Sequence, residues 1–321
     1  MKTDPNAKTY MKSHLAKGYL MGAVAAIAYG LNPLFALPCY DAGMSPASVL
    51  FFRYLLAIPV MGLMLWVRRG RDEFSITPRQ TLMLCGAGIL MAVSSLSLFE
   101  SYTYMDAGIA STLLFIYPIM VALIMALWFK ERFSLMSVFC IVVAMSGIWL
   151  VGRTAEGVTV SLTGATLVFV SSLTYALYIV GINKSQLETM ATLKVIFYVL
   201  VFGLLVITMQ IFLSDSAIDM PPTPLAWLNI LGLAVIPTAL SFVCTTGSIQ
   251  YIGATPTAIL GALEPLTAVV VGVLVFGESM TPRIASGIVL ILLAVSVIVS
   301  GENLEQHLLA VRRLFPRRRR K

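Results

Sequence analysis

Apolar residues in this chain do not recur at the spacing of a soluble helix or strand; they run on without interruption. Ten mostly apolar stretches, at about 18–39, 46–67, 80–100, 107–129, 134–152, 161–182, 191–213, 225–248, 254–276 and 283–300, are separated by short polar segments. A helix needs about 20 such residues to cross a bilayer core. Within that core every backbone group must be satisfied without water, which a helix achieves inside one segment. The pattern therefore predicts an all-α polytopic membrane protein with ten transmembrane helices. Composition agrees, with 59% hydrophobic and 12% charged residues and a mean hydropathy of +0.91; a soluble domain is nearer 45–50% apolar and about 25% charged.

The linkers leave no room for a soluble catalytic or nucleotide-binding domain, and no Gly-rich phosphate loop occurs, which excludes transport driven by an ATPase of this chain. Cys39, Cys85, Cys140 and Cys244 lie in or at the edges of separate runs without CxxC spacing and read as small apolar residues. The two histidines, His14 and His307, sit in polar tails, so a multi-histidine metal site is excluded and no cofactor is implied. The polar N-terminus has no clear cleavage site before the first run, which is expected to remain as a span.

Charge supplies the orientation. If the spans alternate from a cytoplasmic N-terminus, nineteen of the twenty-two lysines and arginines fall on the cytoplasmic side; the others are Arg53 within span 2 and Arg153 and Arg283 in outer loops. Basic loops are retained in the cytoplasm, so both termini are expected inside, in the cell (inner) membrane. The tail RRLFPRRRRK is then a juxtamembrane cluster for anionic inner-leaflet lipid, not a nucleic-acid patch.

The chain also repeats itself. At an offset of 147, Tyr104, Ala107, Leu113, Pro118, Leu127, Phe129 and Glu131 coincide with Tyr251, Ala254, Leu260, Pro265, Leu274, Phe276 and Glu278. At 146, Gly18, Val24, Tyr29, Leu31 and Phe51 coincide with Gly164, Val170, Tyr175, Leu177 and Phe197. The organisation that follows is a tail (1–17), a first repeat of five spans (18–152), a second (161–300) and a basic tail (301–321). Five is odd, so the second repeat enters from the opposite side. Inverted repeats are a recurrent plan of secondary transporters, with the site near the midplane between the halves.

The stretches LFIYPIMVALIMALWFKERFS and LGALEPLTAVVVGVLVFGESMTP resemble the two EamA-type repeat signatures of the drug/metabolite transporter superfamily, and FFRYLLA resembles the family's usual start of span 2. The resemblance covers residues 18 to 300. It implies ten helices around a cavity lined mainly by spans 1, 3, 4, 6, 8 and 9, and export of amino acids or related small metabolites. Other members carry nucleosides, vitamins or drugs.

Candidate residues follow from depth in the membrane. Glu264 lies mid-span, where a charge costs at least roughly 2.5–3.5 kcal/mol; it either couples transport to protons or caps backbone groups freed by Pro265. Its counterpart in the first repeat is Tyr117. Tyr29, Asn32, Tyr117, Tyr175 and Tyr178 are cavity candidates because a mid-membrane hydroxyl or amide needs a protein or water partner, and Ser94, Ser97, Ser241 and Thr245 join them. Arg53 can snorkel, pair with a carboxylate or meet an anionic substrate group. Glu131 and Glu278 read as span-end charges, and Glu100 and Asp106, flanking the outer loop between spans 3 and 4, either as solvated loop charges or as a gate. Gly18, Gly22, Ala26 and Gly30 form a small-residue ridge for close packing. Pro33, Pro59, Pro118, Pro237 and Pro265 interrupt hydrogen bonding within spans. The expected activity is secondary transport of a small-molecule substrate with no enzymatic role; the rival readings are an uncoupled facilitator and, from another class, a membrane-embedded lipid-modifying enzyme.

Overall fold

The computed structural model describes residues 5–69, 74–105, 107–130, 135–152, 161–214, 217–275 and parts of 282–297, and every regular element among them is helical. Glu131, Glu278, Asp106 and the basic tail lie outside the described residues. Six segments are long and apolar enough to span a membrane: His14–Asp41, Pro46–Val67, Pro78–Ser101, Leu162–Asn183, Thr192–Leu213 and Pro224–Ile252. Shorter apolar helices fill the remaining runs. In chain order the elements are α1 (Pro5–Gly30), α2 (Asn32–Asp41), α3 (Pro46–Arg69), α4 (Pro78–Ser101), α5 (Ala107–Leu114), α6 (Tyr117–Phe129) and α7 (Leu135–Gly152). There follow α8 (Leu162–Asn183), α9 (Thr192–Leu213), α10 (Pro224–Leu233), α11 (Ser241–Ile252), α12 (Ala254–Leu260) and α13 (Leu263–Val275).

Three of the expected spans are broken, each beside a proline. Proline lacks an N–H and its ring crowds the carbonyl four residues earlier, so the chain must find another partner for that carbonyl or stop the helix. Pro33 separates α1 from α2; Pro118 stands at the start of α6 and Pro265 at the start of α13. The breaks in spans 4 and 9 therefore occupy matching places in the two repeats. The freed carbonyls are used. Leu114, four before Pro118, accepts from the Ser172 hydroxyl on α8 at 3.0 Å, and Gly261, four before Pro265, accepts from the Glu264 amide at 2.9 Å. At Pro237 the helix continues by widening into a π-helical stretch, Ala234–Leu240, and the Thr238 hydroxyl donates to Leu233 at 2.6 Å. Pro59 sits inside α3 without ending it.

Loop contacts show how corresponding spans run. The Asp219 carboxylate, beyond the C-terminal end of α9, accepts from the Ser45 amide before α3 at 2.9 Å and from the Ser48 hydroxyl at 3.2 Å. At the other ends, the Tyr198 hydroxyl donates to the carbonyl of Phe74. Spans 2 and 7, counterparts in the two repeats, thus lie side by side and antiparallel. Gln250 on α11 reaches the carbonyls of Leu187 at 3.2 Å and Met190 at 2.8 Å and so pins the α8–α9 connection.

The small-residue ridge of α1 faces α11, α12 and α13. A methyl group added at Gly22 would meet Ser248 at 2.7 Å, and one at Gly30 would meet the Glu264 carbonyl oxygen at 2.5 Å. Small residues allow such backbone approach, which is how membrane helices gain contact without a hydrophobic driving force between them. The outside is apolar: Leu127 is 76% and Trp128 71% exposed, while Arg53 and Thr238 are fully buried. Apolar side chains outward and polar ones inward is the arrangement that lipid, as solvent, selects.

Candidate functional site

A cavity opens where α1, α6, α8, α11, α12 and α13 converge, lined by Gly22, Ala25, Ala26, Tyr29, Tyr117, Tyr175, Ile179, Ser241, Thr245, Thr257, Gly261 and Glu264. Helices of both repeats contribute to its wall. The free space is on the order of a single water.

Six of the sequence candidates meet there: Tyr29, Tyr117, Tyr175, Ser241, Thr245 and Glu264. The tyrosines form a continuous aromatic stack. Tyr29 lies parallel to Tyr175, centroids 6.3 Å apart, Tyr117 stands edge-on to Tyr175 at 4.9 Å, and Tyr178 stacks behind it at 6.1 Å. Offset and edge-on arrangements of this kind are favoured by the ring quadrupole. Ser241 donates to the Ala25 carbonyl at 3.0 Å, which ties α11 to α1. Thr257 bonds Ser248 at 2.9 Å.

Glu264 reaches the cavity because α13 begins at Leu263, after the break at 261–262, and its carboxyl is carried on the first turn. The residue is 6% exposed. Of the carboxylates, it alone among the described residues lines this cavity.

The other four cavity candidates stand apart from the wall. Ser94 and Ser171 bond reciprocally across the α4–α8 contact: Ser94 donates to the Ser171 carbonyl at 3.1 Å and Ser171 to the Ser94 carbonyl at 2.8 Å. Tyr178 is 3.4 Å from the Thr246 hydroxyl, and Ser97 is buried on α4. Asn32 is buried at the first position of α2. Arg53, fully buried, donates from Nε to Thr238 Oγ1 and from one Nη to the Pro237 carbonyl at 3.1 Å, which fastens α3 to the π-helical stretch. Snorkelling is thereby ruled out for it.

Several lining residues carried no individual signal in the sequence. Gly22 and Ala26 belonged to the packing ridge, but Ala25, Ile179, Thr257 and Gly261 look like any other small or apolar residue of a membrane helix. Only the crossing of helices brings them to the cavity. Among the described residues no group of three or more His, Cys, Asp or Glu side chains comes together in a way that could hold a metal ion, and the four cysteines are separate, free thiols.

Comparison with known proteins places this geometry. A sequence profile of the EamA-like transporter family matches twice, over residues 16–153 and 162–300. The "Uncharacterized transporter YcbK" of Bacillus subtilis is 24% identical over 270 residues, covering 82% of this chain and 86% of its own. An "Uncharacterized transporter" of Clostridium kluyveri is 22% identical over 296 residues, covering 90% and 94%. One of Archaeoglobus fulgidus is 26% identical over 204 residues, covering 64% and 70%. A solved crystal structure shares the fold with a TM-score of 0.73 at 15% identity, over 88% of this chain and 96% of its own. With two profile matches spanning most of its length and a polytopic apolar helix bundle, the chain belongs to the EamA-like transporter family and is a multi-pass membrane transporter built from two EamA repeats.

Proposed function

We propose that the protein is a secondary-active carrier that exports small metabolites, such as amino acids or related amphiphilic compounds, by alternating access through the cavity between its repeats. The observation that carries this reading is the composition of the wall: Tyr29 and Tyr117 come from the first half, and Tyr175, Ser241, Thr245 and Glu264 from the second. A site shared between halves changes shape when one half rocks against the other. Aromatic faces suit an apolar side chain, and the hydroxyls and carboxyl suit a polar head.

Glu264 is the coupling residue of this scheme. An intramembrane carboxyl facing a cavity is the usual mark of a proton pathway, and its gain or loss of a proton alters the charge that the closed cavity must hold. The halves are residues 18–152 and 161–300, both termini are cytoplasmic, and the basic tail rests on anionic inner-leaflet lipid of the cell membrane. These orientations rest on the lysine and arginine distribution.

The test uses the full chain in liposomes holding an internal pH dye, with each common amino acid supplied on one side. Wild-type protein is expected to accumulate at least one amino acid against its gradient when a pH gradient is imposed. Glu264→Gln is expected to lose that accumulation while retaining counterflow. Full pH-driven accumulation by Glu264→Gln removes the coupling role; counterflow without accumulation in wild type makes the protein a facilitator.

A further inference from the structure

Two helix crossings, α11 over α1 and α4 over α8, are copies of one another. At an offset of 147, Leu84, Ala87, Ala92, Ser94, Ser101 and Tyr104 coincide with Leu231, Ala234, Ala239, Ser241, Ser248 and Tyr251. The structure repeats the match as contacts. Within the spans, Ser241 donates to the Ala25 carbonyl at 3.0 Å, and its equivalent Ser94 donates at 3.1 Å to the carbonyl of Ser171, the equivalent of Ala25. Toward one end of each crossing a glycine meets a tyrosine. A methyl group added at Gly18 would lie 2.7 Å from Tyr251 Cβ, and one at the equivalent Gly164 would lie 3.2 Å from Tyr104 Cβ.

The two glycine–tyrosine contacts stand at opposite faces of the bundle. Gln250, beside Tyr251, bonds the carbonyls of Leu187 and Met190 beyond the C-terminal end of α8, whereas Gly164 lies in the first turn of that helix. The length of α8, about 30 Å, therefore separates them. The cavity lies between: Gly22 of its wall is about one turn from Gly18, and Tyr175 is about three turns from Gly164. On the Gly18 side, Tyr19, Ile252 and Leu260 form an apolar cluster of their own, detached from the main core, with Leu15 and Tyr251 packed against it. A detached cluster can part without disturbing that core.

We propose that Gly18–Tyr251 and Gly164–Tyr104 are the two gates of the cavity, one at each face, and that they open in alternation about the Ser241–Ala25 and Ser94–Ser171 bonds. The inference rests on the carrier reading and names how its cavity is closed from either side. Seven residues, about 10 Å of helix, separate each gate glycine from the carbonyl at its fulcrum, so a small tilt about the serine bond parts the helices at the gate. Glycine lets the backbones seal without an intervening side chain. Both gates are shut in this structure, and the space between them is on the order of one water.

Where the copies differ, the difference sets which gate opens more readily. Lys17 holds its ammonium 5.1 Å from the Tyr251 ring centroid, a cation–π contact that fastens the gate near the N-terminus. Its equivalent at the other gate is Thr163, which brings no charge. That second gate has a firmer fulcrum instead, because Ser171 also donates to the Ser94 carbonyl at 2.8 Å, a bond that Ala25 has no hydroxyl to copy.

The test uses the full chain with its four cysteines replaced by alanine and one reporter, Thr245→Cys, on the cavity wall. Labelling by a membrane-impermeant maleimide is timed in right-side-out and inside-out vesicles. Gly18→Val wedges its gate and is expected to raise labelling at least fivefold from the face that bears the N-terminus, and to lower it from the other. Gly164→Val is expected to do the reverse. Lys17→Gln alters an exposed side chain and is expected to raise labelling about twofold, from the N-terminal face alone; where the valine variants do not fold, it decides. Unchanged labelling, a rise from the same face in both valine variants, or a rise from the wrong face in Lys17→Gln overturns the gates. Labelling needs neither substrate nor gradient. Opposite responses of the two valine variants in a protein without gradient-driven flux would therefore keep the gates and remove the carrier reading, whereas wild-type flux with unchanged labelling in the variants would remove the gates alone.

Discussion

Tyr29 and Tyr175, which occupy equivalent positions in the two repeats, stack on one another across the cavity with their rings 7° from parallel. Internal symmetry has placed two copies of one side chain face to face at the junction of the halves. If the cavity is the substrate site of the proposed carrier cycle, the pair closes that space, and alternating access would have to slide or part these rings.

Tyr29→Phe keeps the ring and is expected to retain transport. Tyr29→Ala removes it, leaves Tyr175 without its partner and is expected to lower transport at least tenfold. The loss should appear mainly as weaker apparent affinity in a proteoliposome flux assay. Equal flux in both variants would show that the stack does not contact substrate.

Ser172 spans the repeats by donating to the Leu114 carbonyl that Pro118 leaves unpaired, and it also donates to Val168 on its own helix at 2.8 Å. Ser172→Ala strands the Leu114 carbonyl in the interior, at a cost of about 1–3 kcal/mol. Pro118→Ala restores an N–H for that carbonyl. The double variant is therefore expected to be more stable than Ser172→Ala alone, as read from thermal unfolding in detergent.

Gly30 approaches the Glu264 carbonyl so closely that a methyl group would lie 2.5 Å from it. The obstacle is backbone, which cannot rotate aside. Gly30→Val is expected to cost about 1–3 kcal/mol as overpacking and to push α13 outward, reducing transport. Gly86, with nothing within 4 Å of an added methyl group, is the control position: Gly86→Ala should leave unfolding and transport unchanged.

Asp219 links the connection after α9 to the start of α3 outside the membrane-spanning segments. Hydrogen bonds from Ser45, then Ser48, hold its carboxyl below the usual range. A carboxyl depressed in the folded state contributes stability that is present above its unfolded value of about 3.9 and is lost as pH falls through the lower folded value. The melting temperature of wild type is therefore expected to fall below about pH 4 more steeply than that of Asp219→Asn. Parallel profiles for the two proteins would show that the latch carries no stability.

Much of the architecture was legible from run length alone, because a lipid-facing helix announces itself by the absence of charge. The fine structure of the runs was less so. Five prolines marked interrupted hydrogen bonding, yet Pro59 lies within unbroken α3, Pro237 widens its helix and Pro33, Pro118 and Pro265 end theirs. What differs is the company each freed carbonyl keeps: Ser172 for Leu114, Thr238 for Leu233. Those partners come from helix crossings or from local widening, and no pattern along the chain specifies them. Asn32 and Tyr178, equal candidates by depth, separate for the same reason. One is buried without a partner and the other is packed behind Tyr175 beside Thr246.

The sequence by itself determined that this is a many-helix membrane protein, that it is doubled, and that Glu264 and Arg53 are the charges set deepest in its spans, since length, hydropathy and self-similarity are properties of the chain alone. Which polar side chains share a cavity was decided only by the tertiary structure. Helices apolar on every side carry no amphipathic stripe to reveal their inner face. Arg53 meets Thr238 from 185 residues away, and Tyr29 meets Tyr175 across the two repeats. Close packing of small-residue ridges sets those encounters, and hydropathy does not record it.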